Sequence, residues 1–332
     1  MATYYGTYGQ KVQYLSSDPT DPQTGQVWYN STSATLKVQS ATTAGAWATG
    51  GNLNTARGAI GGAGATKDSA LVFGGLGPPA PTATGNTESY NGTSWTEVNN
   101  LNTARALSAG VGTQTSGLCW GGDQLDGTTE SWNGTSWTSK TDSPNTGNSG
   151  GSAGASNTNA LVFGGSPSGT NAIAAYWNGT SWTALASFNT ARSNGVGTGK
   201  DYTQALYIGG FTPPVVTLVG NVESFNGTGW TEVNDINTAR ADASGAGTQT
   251  SSLIYGGGSP FPATVTAVTE EWNGTSWTET TDLSTARRNG SKGAAGSNSL
   301  NALMTGGTPP NTAATEEWTG AGSPVTKTVT VS

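Results

Sequence analysis

The chain has 332 residues, 33% of them apolar, with 51 glycines and a formal charge of −7. Only 13 residues are Lys or Arg and they form no basic run, so the clustered cations that neutralise phosphates are missing and no nucleic-acid partner is expected. The absence of histidine removes the commonest general base and a common metal ligand, and a single cysteine, Cys119, rules out an intrachain disulfide framework.

The low apolar share could signal disorder, but 12 Trp and 10 Tyr argue against it. A Gly, Ser and Thr background with regularly placed aromatics suits an all-β repeat protein rich in tight turns. No apolar run approaches the roughly 18 residues of a membrane span, so no membrane insertion is expected. Met1-Ala2-Thr3-Tyr4-Tyr5 lacks the charged and apolar regions of a secretory signal, and folding in a cytoplasm is expected.

Residues 1–46 read as a small leader of strands and loops. Ser17-Asp18-Pro19-Thr20-Asp21-Pro22 is a turn-rich loop. Gly25 to Asn30 and Ala34 to Val38 read as short strands around a polar turn.

A repeat begins at Trp47. The tryptophans Trp47, Trp95, Trp137, Trp182, Trp230 and Trp277 are spaced by 48, 42, 45, 48 and 47 residues. Most close a hexapeptide of the type Tyr90-Asn91-Gly92-Thr93-Ser94-Trp95. After the Trp comes an Asn-Thr-Ala-Arg-like turn, then small residues, then an apolar run ending in a glycine pair such as Gly74-Gly75. A variable loop and a Glu-Ser-Tyr-like stretch lead to the next hexapeptide.

Each unit thus reads as four short strands. Strand a follows the Arg, strand b ends at the double glycine, strand c carries the Glu and strand d begins at the Trp. The Asn-Gly step predicts a type I′ hairpin turn between c and d, with positive φ at both residues. Asn-Gly-Thr is formally a glycosylation sequon, but its recurrence in one turn favours the hairpin reading. The unit cores are expected at 55–101, 103–143, 145–188, 190–236, 238–283 and 285–332.

Six such units of 40 to 50 residues have the period of β-propeller blades. Double glycine, acidic-aromatic strand, Trp, then Ala-Arg resembles the kelch repeat over residues 47–318. The resemblance implies an all-β, six-bladed kelch-like β-propeller over 47–332, preceded by the leader. It does not extend to the copper site of kelch-type galactose oxidases, which uses two histidines. Gly92-Thr93-Ser94-Trp95 is similar to the end of the sialidase Asp-box, but Tyr90 holds the Asp position.

Five units carry both an opening Arg and a strand-c Glu: Arg57 with Glu88, Arg105 with Glu130, Arg192 with Glu223, Arg240 with Glu270, and Arg287 with Glu316. The third unit has Gly147 and Ala175 instead. Joint loss points to structural pairs within a unit, because orphaning one buried partner costs several kcal/mol, on the order of 3–5. In Glu270-Glu271 and Glu316-Glu317 the neighbours point to opposite faces, so one acid is expected to be structural and the other solvated.

Strand order puts the Asn-Thr-Ala-Arg turns and the b–c loops on one face. The loops vary while the framework hardly changes, which is where recognition usually sits. Candidate binding positions are Pro78, Pro79, Gln124, Asp126, Phe211, Pro213, Pro214, Pro260, Phe261, Pro262, Pro309 and Pro310. The uniform repeats argue against an enzyme, and no catalytic residue, metal or cofactor is expected. Cys119 reads as a small buried apolar residue.

Two strands compete for strand d of the last unit, the Trp47 segment and the alternating Val325 to Val331. Full repeat spacing to Arg57 favours Trp47, which leaves the terminal strand to pair elsewhere, with the leader a candidate.

The leader, from Asp18-Pro19 through Gly25-Gln26-Val27-Trp28-Tyr29-Asn30-Ser31-Thr32 to Leu36-Lys37, resembles a short module of tailed-bacteriophage structural proteins. Propellers built on Asn-Thr-Ala-Arg and Asn-Gly-Thr-Ser-Trp also resemble those of marine phages. These resemblances imply a virion component made in a host cytoplasm: tail fibre, collar or capsid appendage. The leader, with Trp28 and Tyr29 as candidate anchors, would bind other virion proteins. The propeller would bind a host-surface glycan or protein, or a neighbouring virion protein. A cellular kelch scaffold for a protein partner and a carbohydrate-active propeller are the alternatives.

Overall fold

The computed structural model describes residues 12–42, 44–78, 82–123, 127–145, 148–165, 172–212, 217–259, 264–291, 299–322 and 324–329. Among them every regular element is a strand. The chain divides into two compact units, Trp47–Trp318 and Met1–Ala46 with Thr319–Ser332.

The larger unit repeats one antiparallel sheet. In the first repeat, Gly61–Thr66, Ser69–Phe73, Thr87–Tyr90 and Trp95–Val98 are strands a to d, in that order across the sheet. The next four repeats give the same four-stranded order. In the sixth, the described strands are Asn301–Thr305, Thr315–Thr319 and, in the strand-d place, Ala46–Thr49. The Trp47 segment therefore takes that slot.

Burial falls from the inside of each sheet outward. Strand b is the most apolar, and Ala70, Leu71, Val72 and Phe73 are all 0% exposed. Strand a is glycine-rich because the a strands of neighbouring repeats nearly touch. A Cβ on Gly110 would lie 2.2 Å from the Gly62 carbonyl oxygen, and one on Gly197 2.3 Å from the Ser152 nitrogen. Only a residue without a side chain fits there.

The core lies between sheets rather than within one. One cluster joins Phe73 of the first repeat to Cys119, Trp132 and Trp137 of the second, and another joins Phe163 of the third to Phe225 and Trp230 of the fourth. A third joins Leu303 of the last repeat to Tyr90 and Trp95 of the first. The strand-d Trp is the recurring latch. Trp137 meets Phe73 edge-on at 4.9 Å between ring centroids, and its Nε1 donates to Thr87 Oγ1 at 3.2 Å. Trp95 donates in the same way to Thr315 Oγ1, and Trp47 to Thr269 Oγ1, both at 3.1 Å. Packing an aromatic while satisfying its one donor is the preferred burial of Trp.

The c–d hairpin forms, but not as a type I′ turn. Tyr90 pairs with Trp95, leaving a four-residue loop. Gly92 takes φ +87°, while Asn91 does not enter positive φ. The Asn91 side-chain oxygen accepts the N–H groups of Thr93 and Ser94 at 3.0 and 2.9 Å. That side-chain turn does the work which positive φ at Asn would do in a type I′ turn.

The smaller unit is a sheet in the order Gln13–Leu15, Val27–Asn30, Thr35–Ala41, Pro324–Thr328. The first pair is parallel and the other two antiparallel. The repeat region therefore ends at Trp318 and not at 332, because the alternating terminal strand hydrogen-bonds to the leader. Asp18 anchors the turn-rich loop: it accepts Trp28 Nε1 at 2.9 Å, Asn30 Nδ2 at 2.7 Å and Lys37 Nζ at 2.6 Å. These donors, Lys37 first, hold the Asp18 carboxyl down at about 2.

Candidate functional site

The Asn-Thr-Ala-Arg turns are built around the five Arg–Glu pairs. Their closest N–O distances are 2.9 Å for Arg57–Glu88, 2.5 Å for Arg105–Glu130, 2.6 Å for Arg192–Glu223, 2.9 Å for Arg240–Glu270 and 2.6 Å for Arg287–Glu316. All ten side chains are at most 5% exposed.

Each carboxylate also caps the turn. Glu130 Oε2 accepts the Asn102 backbone N–H and side-chain amide at 2.8 and 2.9 Å, while Oε1 accepts Thr103 N–H at 3.2 Å. The Arg105 guanidinium in turn donates to the Gly121 and Thr128 carbonyls. Burial draws the Arg57 and Arg240 guanidinium pKa values down, opposed by the fields of Glu88 and Glu270. Each buried carboxylate is held between its guanidinium and the turn N–H groups, an arrangement that sets backbone geometry.

The third repeat shows how the clamp is replaced. Asn145 Nδ2 donates to the Gly164 and Ile173 carbonyls at 3.0 and 3.3 Å, the counterparts of Gly121 and Thr128. Ala175, in the place of the Glu, packs with Trp120 of the preceding repeat. A neutral amide with an apolar filler thus stands in for the ion pair.

The second acids of the Glu-Glu pairs are not simply solvated. Glu317 accepts Tyr90 Oη–H at 2.5 Å and lies 3.2 Å from Lys67 Nζ. Glu271 accepts the Ser299 hydroxyl at 2.6 Å. Both tie one repeat to its neighbour. Cys119 is fully buried, and desolvation pushes its thiol up to about 11.

The turns and the b–c loops share a face. Gly75 N donates to the Arg105 carbonyl, and Arg105 N to the Thr84 carbonyl. Among the described residues, three of the loops form small hairpins: Leu76–Gly77 with Thr82–Ala83, Phe211–Thr212 with Thr217–Leu218, and Gly258–Ser259 with Thr264–Val265. Among the candidate positions, Pro78 sits at the first of these hairpins and Phe211, half-buried, opens the second. Pro309 and Pro310 line a cavity of about 210 Å³ with Thr285, Arg287, Asn311 and Thr312. Pro79, Gln124, Asp126, Pro213, Pro214, Pro260, Phe261 and Pro262 lie outside the described residues.

In the smaller unit Trp28 is 0% exposed and its indole is bonded to Asp18, so it cannot serve as an anchoring contact. Tyr29 is half-buried and stacks at 5.3 Å on Tyr14, which is 76% exposed.

One feature of this face was not anticipated from the sequence. Two residues after each Arg position, the chain enters left-handed backbone space at Ala59, Leu107, Ser149, Asn194, Asp242 and Asn289, with φ between +54° and +59°. Their backbones form a circuit. Leu107 N donates to Ala59 O, Ser149 to Leu107, Asn194 to Ser149, Asp242 to Asn194, Asn289 to Asp242, and Ala59 to Asn289, at 2.7 to 3.0 Å. Aligning the repeats on the Arg would have exposed the position, and with it the change from Ala, Leu and Ser to Asn, Asp and Asn.

No family model matches the chain, and no curated protein matches it.

Proposed function

We propose that the six repeats close into a kelch-like β-propeller, and that the protein is a non-enzymatic structural and adhesion component of a tailed-phage virion. The hydrogen-bonded circuit from Ala59 to Asn289 and back supports closure, as do the packing of Leu303 against Tyr90 and Trp95 and the placing of Ala46–Thr49 in the last sheet. Electron microscopy of the purified protein tests this. A six-lobed ring is expected, and an open arc of sheets would refute it.

The binding reading rests mainly on one contrast. The framework repeats its buried clamps almost unchanged, while the b–c loops on the same face differ in length, composition and hairpin content. A rigid scaffold bearing variable loops suits recognition of a host-surface glycan or protein, or of a neighbouring virion protein. The virion setting comes from the resemblance of the leader, and the exposure of Val12 and Tyr14 there leaves apolar surface for attachment. Mass spectrometry of purified phage particles tests it. The protein is expected among the virion components, and its absence from particles would redirect the reading to a cellular kelch scaffold.

A further inference from the structure

The circuit of left-handed residues is not chemically uniform. Ala59, Leu107 and Ser149 occupy one half, and Asn194, Asp242 and Asn289 the other. Asn and Asp tolerate this backbone region better than most residues. The conformation alone does not demand them, because Ala59, Leu107 and Ser149 hold it as well.

The polar half is a connected group. Asn194 Nδ2 donates to Asp242 Oδ1 at 2.5 Å, and Arg288 Nη1 lies 3.5 Å from Asp242 Oδ2. Arg288 is itself a departure, since the corresponding positions are Gly58, Ala106, Asn148, Ser193 and Ala241. Asn289 Oδ1 is buried without a hydrogen-bond partner, although the residue as a whole is partly exposed. A buried acceptor left unmatched is costly, so a ligand donor that meets it gains more than one meeting a solvated group.

The group lies at the roots of the b–c loops. Arg288 exchanges backbone hydrogen bonds with Thr308, and Ser193, next to Asn194, exchanges them with Phe211. Phe211 is partly exposed and is the aromatic residue nearest in this pairing.

We propose that Asn194, Asp242, Arg288 and Asn289, flanked by Phe211, form a binding site for a neutral saccharide. This rests on the reading of the b–c loop face as the recognition face. Arg288 and Asp242 cancel in charge, so the site has no net attraction for an anion or a cation. It combines amide and guanidinium donors with amide and carboxylate acceptors, which suits sugar hydroxyls, each of which both donates and accepts. Phe211, partly exposed and paired through its backbone with Ser193, supplies an aromatic ring of the kind that suits the apolar C–H face of a sugar.

The test uses the full chain on an array of neutral and sialylated glycans, followed by titration calorimetry with methyl galactoside, methyl glucoside and methyl mannoside. Wild type is expected to bind a neutral saccharide. Asn289→Ala is expected to weaken it about tenfold with an unchanged thermal midpoint, and Asn194→Ala to weaken it similarly while lowering the midpoint, because it also removes the donor to the buried Asp242 Oδ1. Should Asn289→Ala lose stability as well, the near-isosteric Asn289→Asp carries the comparison, with the same loss expected from the added charge. Wild-type binding that none of these variants weakens would overturn this site and leave the loop-face reading standing. Binding only to sialylated glycans, or to none, would overturn the neutral-saccharide proposal, while presence in virions is decided separately by mass spectrometry.

Discussion

Glu130→Ala is the sharpest test of how the repeats hold together. Arg105 and Glu130 are both 0% exposed in their side chains, with the ion pair at 2.5 Å. Removing Glu130 strands a buried guanidinium and also deletes the acceptor for Asn102 N, Asn102 Nδ2 and Thr103 N. Orphaning one member of a buried pair costs about 3–5 kcal/mol, and the lost turn cap puts this variant at the upper end. Arg105→Gly alone leaves an unpaired carboxylate that keeps its three turn donors, so a smaller loss is expected, about 3 kcal/mol. The triple variant Thr103→Asn, Arg105→Gly, Glu130→Ala copies the third repeat, where Asn145 replaces the guanidinium contacts. It is expected to be more stable than Glu130→Ala by about 2 kcal/mol or more, since neither charge is then buried alone. Guanidinium unfolding followed by tryptophan fluorescence measures all three. A Glu130→Ala loss below about 1 kcal/mol, or strictly additive effects of the Arg and Glu changes, would refute the clamp.

Three further outcomes follow from the titrating groups. Asp18 has its pKa depressed to about 2, so its contribution to the leader is present above the ordinary carboxylate value and is lost as pH falls through about 2; NMR titration of its carboxyl should show a midpoint well below 3.8, and a midpoint near 3.8 would deny the Lys37, Asn30 and Trp28 contacts. Burial holds Tyr90 and Tyr207 up at about 12, so the stability they confer is present below pH 10 and lost between about 10 and 12; absorbance at high pH should show delayed tyrosine ionisation that collapses on unfolding, and prompt ionisation near 10 of every tyrosine would contradict it. Cys119, raised to about 11 by burial, should resist alkylation at pH 8 in the folded protein and react at once in denaturant; reaction of the folded protein at a free-thiol rate would place the thiol at the surface.

Much of the framework was legible because each repeat states it again. The tryptophan spacing set the number of repeats, the order of Arg, double glycine, Glu and Trp set the four strands of each, and the joint absence of Arg and Glu at Gly147 and Ala175 pointed to pairs that the structure forms at 2.5 to 2.9 Å. What remained hidden depends on geometry that no single residue declares. Asn-Gly is compatible with several hairpin loops, and the choice was made by the Asn91 side chain accepting two N–H groups. Glu317 looked solvated because its partners, Lys67 and Tyr90, stand 250 and 227 residues away in the chain. Trp28 was a candidate anchor through the resemblance of the leader alone, which does not show that the Asp18 loop buries and satisfies its indole.

The same comparison separates scaffold from function. A side chain that a repeat needs recurs in every repeat or is replaced by something that makes the same bonds, as Asn145 replaces an arginine. By that rule the strand-d tryptophans and the Arg–Glu clamps are scaffold, since the ion pair recurs in five repeats and the third makes the same carbonyl contacts through Asn145. Asn194, Asp242, Arg288 and Asn289 fail it. Their counterparts hold the same backbone without them, and one of their acceptors is left unmatched. A buried acceptor that the fold leaves unmatched, as it does Asn289 Oδ1, costs stability, and such a cost persists where a ligand offsets it. Recognition is therefore to be sought where the repeats stop agreeing, at the roots and tips of the b–c loops.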